Sequence, residues 1–171
     1  MMVEYSDYEC PFCKTFHDTM NTIMDDYGTT GQVAWAYRHM PFVQLHPNAV
    51  RIAVASECVA ELAGNDAFWE FSDLVFEERG LQELTDMSNL NDYATSVGVD
   101  VTEFTTCLQA GRHIERVEDD LQDALAAGAE GTPYTVLMVG DQQAVINGAQ
   151  PYNTVKSLID TLLAQIDSSR Q

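Results

Sequence analysis

The sequence has few basic residues. It contains 8 lysine and arginine residues against 27 aspartate and glutamate residues, so its formal net charge at pH 7 is −19. Because nucleic-acid binding depends on basic side chains that neutralise phosphates, this charge argues strongly against a nucleic-acid partner. It also disfavours anionic membrane surfaces. Such acidity is typical both of salt-adapted proteins and of ordinary acidic exported proteins, and the sequence leaves these two alternatives open.

Long apolar runs are also missing. No stretch approaches the 18 or more apolar residues of a membrane span. No signal peptide is recognisable either, because a cysteine motif follows only nine residues after the start. If the native protein is exported, we expect this chain to be a trimmed mature domain. Its 171 residues, 46% of them hydrophobic, are enough for one well-packed core and predict a single domain with an insertion.

Cysteine is scarce, and only two of the four cysteines are close in sequence. Cys10 and Cys13 form a CxxC motif, whereas Cys58 and Cys107 are isolated. Structural zinc sites use four ligands, usually from two such pairs or from a CxxC with a closely spaced histidine pair. The histidines are scattered, at His17, His39, His46 and His113. A zinc site and a purely structural CxxC disulfide are therefore the weaker interpretations, and we predict no metal.

The surroundings of the CxxC indicate redox chemistry. The motif follows a short apolar run and opens an amphipathic helical stretch at Pro11, a residue that suits the first helical turn because the N–H it lacks would be unpaired there. The unpaired N–H groups and the positive dipole end of a helix stabilise a thiolate at Cys10. The sequence therefore predicts a redox-active dithiol.

The hydrophobic pattern predicts an α/β domain. Strands are predicted over Met2–Ser6, Val33–Arg38, Tyr134–Val139 and Ala144–Ile146, with Gly140 and Asp141 as turn residues in the last hairpin. Helices are predicted over Pro11–Tyr27, Pro47–Ala63, Ala67–Glu78, Leu90–Val97, Val101–Leu108, His113–Ala127 and Pro151–Ile166. Without residues 47–111 the order is β-α-β-α-β-β-α, that of the thioredoxin fold. We therefore predict a thioredoxin-like core at 1–46 and 112–171 and an all-helical insertion at 47–111.

Several motifs resemble the DsbA-like thiol–disulfide oxidoreductase family. They are the segment from Val3 to Cys13, Tyr37-Arg38-His39-Met40-Pro41-Phe42, His46-Pro47-Asn48-Ala49, Gly131-Thr132-Pro133 and Gly148-Ala149-Gln150-Pro151-Tyr152. The chain is similar to the bacterial and archaeal branch with an extra cysteine pair. The resemblance implies an exported protein, in the periplasm or at the extracytoplasmic cell surface, that donates disulfides to newly translocated substrates. Family members usually carry another strand before the glutamate, and here almost nothing precedes Glu4.

The resemblance also implies roles for the residues around the CxxC. Cys10 is expected to be the exposed nucleophile and Cys13 the resolving thiol. Glu4 is expected to be a buried acid that exchanges a proton with the Cys13 sulfur, and the alternative is a solvent-facing strand glutamate.

A second group of residues is expected to bind the substrate. The Thr132–Pro133 peptide bond is expected to be cis and to lie beside the dithiol, and the alternative is a trans proline that starts a strand. The backbone of Thr132 is expected to pair with an extended peptide, and Pro11 and Phe12 to join Thr132 and Pro133 in substrate binding. Thr132 resembles the residue of oxidases and of isomerases alike, so it does not separate these activities.

Cys58 and Cys107 lie on the apolar faces of two predicted helices. Buried free cysteines are common in protein cores. An exported protein, however, rarely keeps two facing free thiols. Because relatives with cysteines at both places use them as a structural disulfide, the resemblance favours that pairing here.

Together these features predict a monomeric protein disulfide oxidoreductase without a cofactor. Its substrates are expected to be unfolded or reduced exported proteins, and a membrane quinone-linked protein of the DsbB or VKOR type is a possible reoxidising partner. One alternative is a disulfide isomerase or reductase, which usually needs a dimerisation module for which this chain has no room. Another is a non-catalytic protein that handles copper or zinc through Cys10 and Cys13.

Overall fold

A four-stranded mixed sheet lies at the centre of the protein. In the computed structural model, which describes residues 1–140 and 142–169, the strands are β1 (Met2–Ser6), β2 (Trp35–His39), β3 (Tyr134–Val139) and β4 (Gln142–Asn147). Their order in the sheet is β2-β1-β3-β4. β1 and β2 are parallel, as expected for a β-α-β crossover, and the other pairs are antiparallel.

Within the described residues, seven α-helices surround the sheet in the predicted order. They are α1 (Pro11–Ile23), α2 (Ala49–Ala63), α3 (Asn65–Glu77), α4 (Leu90–Ser96), α5 (Val101–Ala110), α6 (Ile114–Ala126) and α7 (Tyr152–Ser169), with a short 3₁₀ helix at Met87–Asn89. The predicted α/β thioredoxin-like architecture is confirmed, with α2 to α5 following β2. The division at residues 46/47 and 111/112 stays a prediction.

Some predicted boundaries are wrong for identifiable reasons. The first helix does not run regularly to Tyr27 but widens into a π-helical turn over Met24–Gly28, in which the backbone N–H of Thr29 donates to the carbonyl of Met24 at 3.2 Å. β2 starts at Trp35, because the N–H of Val33 donates to Tyr27 rather than pairing with β1. Of the predicted turn Gly140-Asp141, Asp141 lies outside the described residues.

The alternation of side chains along β1 separates two packing layers. Met2 belongs to the cluster formed with α1 and α7, whereas Tyr5 packs with residues around α6. Since side chains two apart share a face of a strand, Glu4 and Ser6 point to the same side as Met2, toward α1. A third cluster is built largely by α2 to α5 and reaches Cys10 and Cys13. The carboxyl group of Glu4 is thus placed on the core face of the sheet beneath the CxxC helix.

Candidate active site

Cys10 is the N-terminal capping residue of α1, and both thiols of the CxxC are free. The Cys10 Sγ lies 3.5 Å from the carbonyl oxygen of Thr132, with the thiol as donor. The pKa of Cys10 is lowered to about 6, first by a hydrogen bond from the Cys13 thiol and further by the Thr132 side chain and the backbone N–H groups of the first turn, while burial opposes the change. The lowered pKa favours the thiolate of Cys10, which is the reactive form.

Cys13 is the opposite case. It is fully buried, and its sulfur accepts a hydrogen bond from the backbone N–H of Asp7 at 3.4 Å. Burial raises the pKa of Cys13 well above its ordinary value. Cys10 itself is less exposed than the sequence predicts, with 5% of its surface accessible, because Phe12, Thr132 and the segment 42–46 surround it.

Glu4 lies in the interior, so the alternative of a solvent-facing glutamate is wrong. It is 0% exposed, and the indole N–H of Trp35 donates to its Oε2 at 3.0 Å. Its Oε1 has no hydrogen-bond partner among the described residues. Burial raises the pKa of Glu4 to about 7, against a lowering effect of His17. The buried Ser6 hydroxyl lowers the pKa of both Glu4 and Cys13, which places all three groups in one electrostatic environment.

The Thr132–Pro133 peptide bond is cis and precedes β3. Thr132 presents its carbonyl oxygen to the Cys10 sulfur. The carbonyl of Pro133 accepts a hydrogen bond from the backbone N–H of Gly148 at 3.0 Å. The peptide unit beside the dithiol is therefore held by the strand end on one side and by the loop after β4 on the other.

An apolar groove opens beside Cys10. It has a volume of about 340 Å³ and is lined by Cys10, Pro11, Phe12, Phe42, Leu45, His46, Glu130, Gly131 and Thr132. Phe12 and Leu45 are 65% and 71% exposed, which is unusual for large apolar side chains next to a reactive group. Of the residues predicted to bind substrate, Pro11, Phe12 and Thr132 line this groove, and Pro133 is not among its lining residues.

Sequence reasoning missed Asp7, whose carboxylate connects the segment before the CxxC to the segment 42–46. Its Oδ2 accepts hydrogen bonds from the backbone N–H of Phe42 at 2.7 Å and from Nδ1 of His46 at 2.8 Å. Its Oδ1 accepts from the N–H of Glu9 at 2.8 Å. The only signal in the sequence is a pair of carboxylates directly before the CxxC, a feature that surface loops share.

The second cysteine pair lies away from the groove. A disulfide joins Cys58 on α2 to Cys107 on α5, with a Cα–Cα distance of 5.9 Å, and both residues are fully buried. The neighbouring Glu61 carboxylate pairs with Arg112 and His113. This bond therefore fastens α2 to α5, and neither of its cysteines lines the groove.

One further cluster resembles a metal site in composition. His39, Glu57 and Asp120 come within ligand distance of one another. Their carboxylates, however, already pair with the guanidinium groups of Arg38 and Arg116. A positive charge at these oxygens is thus supplied by arginine, and we assign no metal to the cluster.

Comparison with known proteins agrees with this geometry. The chain matches the family Thioredoxin over residues 1–161. BdbD from Bacillus subtilis superposes with a TM-score of 0.81 at 28% identity, over 95% of this chain and 86% of that one. α-DsbA1 from Wolbachia pipientis superposes with a TM-score of 0.81 over 99% of this chain and 88% of its own, at 20% identity, a level that shows the fold alone.

Curated relatives are much longer than this chain. The Na(+)/H(+) antiporter NhaA 1 of Mycolicibacterium vanbaalenii is 33% identical over 135 residues, which is 78% of this chain and 21% of the relative. NhaA 3 of Salinispora tropica is 29% identical over 99% of this chain and 24% of its own length. The chain thus spans about a fifth to a quarter of these relatives.

No helix within the described ranges is long and apolar enough to cross a membrane. By the family match and the fold, the chain belongs to the Thioredoxin family and has the structure of a DsbA-like thiol–disulfide oxidoreductase.

Proposed function

We propose that this protein introduces disulfides into exported proteins through the Cys10–Cys13 pair. The observation that carries the proposal is the difference between the two thiols, of which Cys10 lines an apolar groove and Cys13 is fully buried. The pKa of Cys10 is about 6, whereas that of Cys13 lies well above its ordinary value. A stabilised Cys10 thiolate favours the reduced enzyme, which makes the enzyme disulfide a stronger oxidant and Cys10 the better leaving group.

The reaction begins with the oxidised enzyme. A substrate thiolate attacks the Cys10 sulfur, the Cys10–Cys13 bond breaks, and the electron pair stays on Cys13. A second substrate thiolate then attacks the substrate sulfur of the mixed disulfide and releases the Cys10 thiolate. The substrate loses two electrons and two protons: the enzyme disulfide takes up both electrons, one proton ends on the Cys13 sulfur, and the other goes to solvent because Cys10 is released as a thiolate. The dithiol form in this structure is the product state of that cycle.

Glu4 is assigned the proton transfer at Cys13. When the enzyme disulfide opens, charge develops on a sulfur that burial holds in its neutral form. A carboxyl group with a pKa of about 7 can release a proton to that sulfur and take it back during reoxidation. Cys13 can then leave as a thiol rather than as a buried anion.

The groove is assigned the binding of the substrate chain. Exposed Phe12 and Leu45 offer apolar contacts to an unfolded segment. The backbone of Thr132 is assigned pairing with an extended peptide in strand fashion, and the position of its carbonyl at the Cys10 sulfur supports this role. Because backbone pairing and apolar contact are both tolerant of sequence, this arrangement suits many reduced proteins.

Reoxidation requires an electron acceptor that takes two electrons from the dithiol. We propose a membrane quinone-linked protein of the DsbB or VKOR type in this role. The proposed setting is the periplasm or the extracytoplasmic cell surface, where disulfides persist. We further propose that the enzyme acts as a monomer.

The test is oxidation of a reduced, unfolded ribonuclease by the oxidised protein. We expect stoichiometric disulfide transfer by the parent chain. The variant Cys13→Ala cannot form the Cys10–Cys13 disulfide and so has no oxidising equivalent to donate. With a ribonuclease that already carries disulfides, its Cys10 thiolate is expected to attack one of them, release one substrate thiol and keep the substrate as a mixed disulfide, because no Cys13 thiol is present to displace it. Failure of the parent to transfer its disulfide, or product release by Cys13→Ala at the parent rate, would contradict the dithiol mechanism. Stoichiometric metal binding without disulfide transfer would favour a metal-handling protein instead.

A further inference from the structure

Arg79 is a buried arginine directly behind the dithiol. It follows α3 and is 5% exposed, the only lysine or arginine that is buried among the described residues. Its Nη2 donates to the backbone carbonyl of Cys10 at 3.0 Å. Its Nη1 donates to the carbonyl of Glu83 at 3.0 Å and more weakly to two others in the same loop. The guanidinium thus joins the end of α3 to the residue that begins α1.

This charge has no carboxylate partner at contact distance. Within residues 1–140 and 142–169, every hydrogen bond found for Arg79 goes to a backbone carbonyl, no salt bridge involves it, and its Nε has no partner. A buried unpaired charge is costly to a fold. The guanidinium of Arg79 is instead balanced at longer range by the negatively charged groups around it.

Four groups on the surrounding segments interact electrostatically with the Arg79 guanidinium. Burial lowers the pKa of Arg79, and the negative charges of Glu9, Cys10, Cys13 and Asp7 oppose this lowering. The Glu9 carboxylate is already held by the backbone N–H groups of Asn48 and Thr85 and by the Asn48 amide. The Asp7 carboxylate is held by three donors of its own.

Cys10 differs from these two carboxylates because its charge comes and goes with the redox state. Cys13 stays neutral in the reduced protein, since burial raises its pKa. A fixed positive charge next to the Cys10 backbone adds to the hydrogen bonds that already stabilise the Cys10 thiolate. Among the charged groups facing this region, Arg79 supplies that positive charge.

We propose that Arg79 is a positioning residue that holds the first turn of α1 and stabilises the thiolate of Cys10 in the reduced protein. This inference rests on the proposed function, because a thiolate-stabilising charge matters for a protein whose Cys10–Cys13 pair cycles between dithiol and disulfide. Its consequence is a stronger preference for the reduced form and hence a more oxidising enzyme disulfide.

The test compares Arg79→Gln with Arg79→Lys, and with Arg112→Gln as a control that removes the same charge from an exposed site. The rate of alkylation of Cys10 against pH gives its pKa, and equilibration with glutathione gives the redox equilibrium constant. For Arg79→Gln we expect the pKa of Cys10 to rise by about one unit. At pH 7 the equilibrium constant for oxidation of glutathione then falls about fivefold, since the thiolate fraction drops. Arg79→Lys is expected to show a rise of about 0.3 units and Arg112→Gln no change.

Urea unfolding of both redox states separates this role from a purely structural one. Arg79→Gln is expected to destabilise the reduced protein more than the oxidised protein, because only the reduced form carries the thiolate. Equal destabilisation of the two states with an unchanged pKa of Cys10 would overturn the proposal and leave Arg79 as a cap of α3. If Arg79→Gln does not fold in either state, the decision falls to Arg79→Lys, for which an unchanged pKa of Cys10 overturns the proposal. These measurements need no substrate protein, so they are independent of whether disulfide transfer itself is observed.

Discussion

The molecule contains two cysteine pairs whose surroundings differ in almost every respect. Cys10 and Cys13 are three residues apart at the start of a helix, next to backbone donors and an open groove. Cys58 and Cys107 are 49 residues apart and face each other between two packed helices. The first pair is reduced in this structure and the second is oxidised. One cysteine pair thus forms a dithiol beside an open groove, and the other forms a disulfide that joins two helices.

The comparison shows that the surroundings of a sulfur, more than its burial, decide its chemistry. All four cysteines are buried. Only Cys10, however, combines its burial with hydrogen-bond donors that stabilise an anion and with access to a groove. A thiol becomes reactive when its thiolate is stabilised and can be reached.

The sharpest way to break this comparison is to remove the second pair. Cys58→Ala combined with Cys107→Ala opens a loop of 49 residues, for which the chain-entropy estimate of lost stability is about 4 kcal/mol. We expect urea denaturation to show a loss of that order while disulfide transfer proceeds at the parent rate. In the matched variant Cys10→Ala plus Cys13→Ala, transfer is expected to vanish. Impaired transfer in the folded first variant would mean that the two pairs are functionally coupled.

A second test concerns the buried acid on which only the first pair depends. Glu4 has a folded-state pKa raised from 4.5 to about 7, so the stability due to its neutral form is complete below pH 4.5 and is lost as the pH rises through 7. Above pH 8 this loss amounts to about 3 kcal/mol. Glu4→Gln does not titrate, so its stability relative to the parent should rise by that amount between pH 4 and pH 8.

Urea denaturation of the oxidised proteins, in which the thiols do not titrate, measures this difference. The exposed Glu118→Gln serves as the control for loss of one charge. We also expect slower disulfide transfer by Glu4→Gln, because its amide cannot supply a proton to Cys13. A stability difference that does not vary with pH would show that Glu4 ionises normally in the folded protein.

The smallest effect on stability is expected at the rim of the groove. Phe12 is 65% exposed, so Phe12→Ala should change the free energy of unfolding by less than about 0.5 kcal/mol. Its apolar contact with the substrate is lost, and we expect a severalfold higher KM for a reduced peptide with an unchanged pKa of Cys10. Val145→Ala, on the exposed side of β4, should leave both quantities unchanged. A shifted Cys10 pKa in Phe12→Ala would assign Phe12 to the chemistry rather than to binding.

The features of this comparison that are local in sequence could be predicted, and those that depend on long-range contacts could not. The order of strands and helices follows from hydrophobic periodicity, and the redox dithiol follows from a CxxC at a helix start. Asp7 bonds Phe42, 35 residues away, and Arg79 bonds Cys10, 69 residues away. The neighbouring sequence does not reveal that Asp7 or Arg79 is buried and makes these contacts, because aspartate and arginine side chains are most often exposed to solvent. The π-helical turn was likewise missed because its apolar spacing resembles that of an ordinary helix end.

Asp7 has a consequence for anyone who wishes to redesign the substrate range of this protein. Its backbone N–H bonds the Cys13 sulfur, and its carboxylate holds Phe42 and His46 at the groove. Val43 and Leu45, in the same segment, are 53% and 71% exposed. In this segment Phe42 and His46 are therefore anchored by Asp7, whereas the side chains of Val43 and Leu45 between them are exposed. Substitutions at Leu45, which lines the groove, can reshape it while the hydrogen bond to the resolving sulfur stays in place.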